Sequence, residues 1–145
     1  MLDKDFIKIK IEYIQKDLNH LEPMAKLTID KIAQDDIQYA ALKNFLMQII
    51  GRAIDINEHI IAEKGDEKLK SPLKYRETFL RLAEMGILPE DFAQEIAKSA
   101  GFRNAIVHDY NNIDKFIVYK SVSDAISQYA EYCNYILNYL QEPNN

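Results

Sequence analysis

Hydrophobic positions recur along this chain with the spacing of helices. From Asp3 to Leu21 the apolar residues Phe6, Ile7, Ile9, Ile11, Tyr13, Ile14, Leu18 and Leu21 form a broad face with lysines between them. The alternation in "FIKIKIEYI" also suits a strand, but no second strand with a hairpin turn follows, so a helix is expected. Pro23 should end it or follow its end closely. "LTIDKIAQDD" reads as a polar connection with at most one short turn of its own.

A long helix is predicted from about Asp36 to Glu63, stopping at Gly65 as a C′ residue. "GDEKLKSP" reads as a charged loop, and Ser71-Pro72 as the start of a helix through "LKYRETFLRLAEM". Gly86 should break that helix. Pro89 should begin the next, "PEDFAQEIAKSAGFRNAIV", with Glu90 and Asp91 placed for its N-terminal dipole. It should end near Val107 or His108, because "HDYNNID" is rich in turn formers. A last helix is expected from about Ser121 to Leu140. The sum is all-α: one domain over residues 1–145, an antiparallel bundle of about five helices.

Composition narrows the class. A chain of 145 residues, 48% hydrophobic and 28% charged, is long enough for one real core. The single cysteine, Cys133, excludes an internal disulfide framework and a multi-cysteine zinc site. No apolar run approaches the roughly 20 residues of a membrane-spanning helix, and "MLDKDFIKIK" lacks the apolar region of a signal peptide. A cytoplasmic protein is therefore expected. A net charge of −5 and a pI near 5.2 argue against a broad basic surface wrapped by nucleic acid. They leave room for a small basic cleft.

The densest chemistry lies in "GFRNAIVHDYNN", residues 101–112. Arg103 and Tyr110 are seven apart and would share a helical face; His108, five from Arg103, would point about 140° away. The set suits metal-free RNA cleavage, in which the 2′-OH attacks the adjacent phosphate, the 5′-oxygen leaves and a 2′,3′-cyclic phosphate remains. His108 can move protons near neutral pH. Arg103 offers a planar fork of donors to phosphate oxygens. Tyr110 can bond a phosphate or stack on a base, and Asn104 and Asp109 can orient these groups. On residue types alone, local caps and surface bonds at a helix end are the more common account of such a set.

"RNAIVHDY" has the form R-x-x-x-x-H-x-Y and resembles the signature of the HEPN superfamily, in particular the HepT-like ribonuclease toxins. "RAIDINEHIIAEKG" resembles that family's long second helix, and "YRETFLRLAEMGILPEDFAQEIAKSAGFRN" its run into the motif. The likeness spans about Ile49 to Leu140. It implies a helical homodimer whose motif residues line a shared cleft, with Arg103, His108 and Tyr110 as the catalytic set and no metal or cofactor. It also implies a nucleotidyltransferase antitoxin as partner, able to transfer AMP to Tyr110. That modification would place negative charge and bulk where an RNA phosphate must sit. A rival class stays in view: a non-catalytic helical module that docks a nucleotidyltransferase or holds a nucleotide.

Two further patterns have open readings. Asn44, Gln48, Arg52, Asp55 and His59 recur every three or four residues on the long helix. They form either a solvent face with an Arg52–Asp55 pair, or a stripe bringing Asp55 and His59 to the cleft as supporting groups. On the last helix Tyr129 belongs to a core stripe, whereas Tyr132, Tyr135 and Tyr139 form a second one, expected to flank the core or an interface. Cys133 should be a buried small apolar residue, and His20 an exposed histidine near a helix end.

Overall fold

A computed structural model describes residues 1–68, 73–108 and 114–143. Helix α1 spans Lys4–Ala25 and is capped by Asp3, whose carboxylate accepts the Phe6 N–H at 3.0 Å. Its buried residues Ile7, Ile11, Ile14, Leu18 and Leu21 are spaced by three and four. Ile9 and Tyr13, the alternating residues that suggested a strand, remain about half exposed at 53% and 49%. Pro23 does not end the helix but lies in its last turn, where a missing N–H costs one hydrogen bond near an end that frays anyway.

The expected connection contains a helix of its own, α2 (Ile29–Gln34), capped by Thr28 and anchored by buried Ile32. Six helices therefore occur among the described residues, against about five read from the pattern. Asp35 caps the long α3 (Asp36–Lys64) by accepting the Ile37 and Gln38 N–H groups. Gly65 closes α3 with an extended backbone (φ −72°), so no left-handed cap is used there. Helix α4 (Tyr75–Glu84) does stop on a left-handed glycine: Gly86 has φ +77°, and the Ile87 N–H turns back to the Leu82 carbonyl at 2.9 Å. Ser71-Pro72 lies outside the described residues.

Helix α5 (Glu90–His108) packs antiparallel to α4, and α6 (Lys115–Leu140) closes the bundle against α1. Helix α6 begins six residues before the expected Ser121. Asp114 caps it through the Phe116 N–H at 2.8 Å, and fully buried Val118 repays the weak helical preference of the β-branched run. No described helix is long and apolar enough to cross a membrane.

The core carries a polar knot that holds three helices in register. Tyr132 is fully buried inside the core, not beside it as its stripe suggested. Its hydroxyl lies 2.6 Å from Asn57 Oδ1 and 3.1 Å from the Ala53 carbonyl oxygen, and donates to them. Asn57 Nδ2 donates to Thr78 Oγ1 at 3.1 Å, and Thr78 donates in turn to the Tyr75 carbonyl at 2.7 Å. Phe79, Tyr129 and Tyr132 meet edge to face around this knot, and burial pushes both phenols well above their ordinary range. Tyr135 packs only partly buried on Phe92, as a flanking tyrosine should. Burial pushes the Cys133 thiol up to about 12, that of an inert core residue.

Replacing Tyr132 with Phe keeps the aromatic packing but leaves Asn57 Oδ1 buried without its donor. The expected loss is about 1–3 kcal/mol. It should appear in urea as a lower midpoint at unchanged slope; an unchanged midpoint would mean the knot adds nothing.

Candidate functional site

Helix α5 carries Arg103, Asn104 and His108 in its last turns and ends at His108. Asp109 and Tyr110 lie outside the described residues. Because α5 stays helical to His108, Arg103 and His108 point about 140° apart and are offset by about 7.5 Å along the axis. One chain thus does not bring the pair to one face. Asn104 and His108, four apart and both exposed, do share a face.

Arg103 is directed back over the bundle. Its guanidinium carbon is 5.7 Å from the centre of the Tyr75 ring at the start of α4. Below it runs the middle of α3: a β-carbon on Gly51 would sit 3.5 Å from Arg103 Nε and 3.8 Å from Nη2. Arg103 Nε is buried and has no hydrogen-bond acceptor among the described residues. A buried, unmatched donor costs about 1–3 kcal/mol in most proteins. Here it belongs to a permanently charged fork that an incoming oxyanion would complete. The arrangement can bind and polarise a phosphate.

Gly51 and Tyr75 were not anticipated as parts of this site. The signal for Gly51 was present, since a glycine inside a helix of 29 residues asks for a packing or functional reason. Nothing in the local pattern marked Tyr75.

The polar stripe of α3 lies along its seam with α1. Arg52 pairs with Asp17 and stacks on Tyr13 at 4.8 Å, not with Asp55 three residues on. Asp55 accepts from Lys10 Nζ at 3.0 Å, and its charge helps raise the Glu58 carboxyl, after the larger effect of burial. The cross-helix partners win because α1 presents opposite charges directly over the stripe. Asp55 is one turn along α3 from Gly51. His59, a further turn away, accepts the Asp3 N–H on Nε2 at 3.0 Å and packs on Phe6. Asn44 and Gln48 are exposed, as is His20, which stacks on Phe45. No cluster of three or more metal-ligating side chains occurs among the described residues.

Known proteins share both the sequence and this architecture. The chain matches the family described as "Ribonuclease HepT-like" over residues 14–136. It is 35% identical over 136 residues to a tRNA nuclease HepT of Aphanizomenon flos-aquae, covering 92% of this chain and 89% of that one. A putative RNase of Archaeoglobus fulgidus is 30% identical over 79% of this chain and 78% of its own. Among solved structures, a tri-AMPylated Shewanella oneidensis HEPN toxin in complex with an MNT antitoxin superposes with a TM-score of 0.81. That match is 23% identical and covers 94% of this chain and 99% of the other, a likeness of fold.

Proposed function

This chain belongs to the HepT-like ribonuclease family, and from that membership we propose that it is a metal-independent RNA endonuclease. It acts in the cytoplasm as the toxin of a toxin–antitoxin pair, as one helical domain per subunit of a homodimer. The observation that carries the reading is Arg103: a half-buried guanidinium whose buried Nε lacks an acceptor, lying over Gly51 and against the Tyr75 ring. The 2′-OH attacks phosphorus, and the bond to the 5′-oxygen breaks. One proton leaves the 2′-oxygen and one reaches the 5′-oxygen, so a base and an acid are needed. A dimer carries two His108 side chains, one to accept and one to donate. It also answers the divergence of Arg103 and His108 on a single helix.

In this mechanism Arg103 meets the charge growing on the phosphorane oxygens. Asn104, on the His108 face, and Asp109 are supporting groups. Asp55 contributes negative charge one turn from Gly51, and His59 acts only by holding the start of α1. Tyr110 contacts the substrate and is the residue to which a nucleotidyltransferase antitoxin transfers AMP. The AMP-bearing toxin among the structural neighbours supports this regulation, and the curated nuclease relatives support RNA as substrate.

The deciding experiment is cleavage of an RNA panel by purified, unmodified protein in EDTA, with the product ends identified. Cutting that persists under chelation and leaves 2′,3′-cyclic phosphates is expected. Products ending in 3′-OH, or strict dependence on a divalent ion, would refute the mechanism. A folded protein that cuts no RNA would refute the enzyme.

A further inference from the structure

Tyr75 is 43% exposed although it opens a helix whose next turn is tied into the core. Its carbonyl is held by Thr78, Thr78 by Asn57, and Asn57 by Tyr132, so the first turn of α4 is fastened to α3 and α6. The ring is therefore presented from a rigid base and loses little freedom on binding. Part of it lies against the Arg103 guanidinium, and the rest faces solvent. An aromatic surface fixed beside an unsatisfied cationic fork matches the two unlike halves of a nucleotide. The fork suits the phosphate, and the ring suits a base turned out of its stack.

We propose that Tyr75 stacks a nucleobase adjacent to the phosphate held by Arg103, which makes unpaired RNA the substrate class of this site. The inference rests on the reading of Arg103 as the phosphate ligand. A base in a duplex is covered by its neighbours on both faces and cannot reach the ring. A looped or single-stranded base can.

The test uses the full chain with His108→Ala to prevent turnover, and a single-stranded oligoribonucleotide carrying 2-aminopurine, whose emission falls on stacking. Tyr75→Leu keeps apolar bulk against Arg103 but removes the π face; it should weaken binding about ten- to hundredfold and abolish the quench. Tyr75→Phe and Tyr75→Trp should retain both. In the cleaving protein the loss for Tyr75→Leu should fall on KM more than on kcat. The same oligonucleotide annealed to its complement should compete poorly. A Tyr75→Leu protein that binds and quenches like the parent, while Arg103→Ala still weakens binding, would overturn the stacking role and leave the phosphate site standing. Equal impairment of Tyr75→Phe and Tyr75→Leu would also overturn it, since the hydroxyl would then be what matters. If Arg103→Ala leaves binding intact as well, the reading of the site itself has failed.

Discussion

Replacing His108 with alanine is expected to lower the rate of RNA cleavage by about two to four orders of magnitude, the usual contribution of a positioned proton-transfer group. The residue is exposed at the last position of α5, and its removal opens no cavity and breaks no described hydrogen bond. At most the variant gives up the interaction of a cationic imidazole with the helix C-terminus, roughly 0.3–1 kcal/mol. Its urea midpoint should therefore stay close to that of the parent. RNA binding should survive too, because the phosphate ligand is untouched. A variant that cuts at the parental rate would remove His108 from the chemistry. A variant that loses binding and cleavage together would make it a contact and not a proton carrier.

Arg103 should show activity and stability moving apart. Arg103→Lys retains a positive charge but loses the planar fork and the Nε donor. Cleavage should fall by about two to three orders of magnitude, as when one preorganised donor to a developing oxyanion is lost. Arg103→Ala should cost at least as much activity. Yet the fold should be no less stable without the arginine, because the alanine variant no longer buries a donor that lacks an acceptor. Parallel cleavage rates and urea midpoints would check both halves. Full activity in the lysine variant would show that charge alone suffices. A stability loss above about 2 kcal/mol in the alanine variant would instead mark a structural arginine.

Much of this fold was legible because helices announce themselves through spacing and punctuation. Helix α3 was read from its first residue to within one of its last, since Asp35, Asp36 and Gly65 bracket a long apolar face. Gly86 was read as a breaker, and it does take a left-handed backbone. Failures occurred where tertiary packing outweighed local preference. Ile32 makes a helix of the segment read as a connection, and Val118 pulls α6 six residues forward through a β-branched run. Charge pairing failed for a different reason. Spacing sees Asp55 three residues from Arg52 but cannot see Asp17 and Lys10 arriving from another helix. Tyr132 was misplaced because periodicity separates stripes without saying that α3 and α4 cover both.

The candidate site divided along the same line. Arg103 and His108 were found as residues, through a motif and the family it resembles. Their divergence on α5 was visible only as an arithmetic warning about helical angles. Gly51 and Tyr75 come from helices remote in sequence, and only the packing of α3 and α4 against α5 brings them to Arg103.

Gly51 sets a limit on how far this protein could be hardened against heat. A glycine in mid-helix forfeits roughly 0.5–1 kcal/mol relative to alanine, and a β-carbon there would meet Arg103 only at an ordinary van der Waals distance. Selection for thermal endurance alone would fill the position, first with alanine and then with something larger. An alanine would only line the floor beneath the guanidinium with hydrocarbon, whereas each carbon beyond it would press on the fork and lift it out of place. Position 51 is thus where robustness and reactivity pull against each other, and an ancestor or a designed variant that gained the first there would be expected to surrender the second.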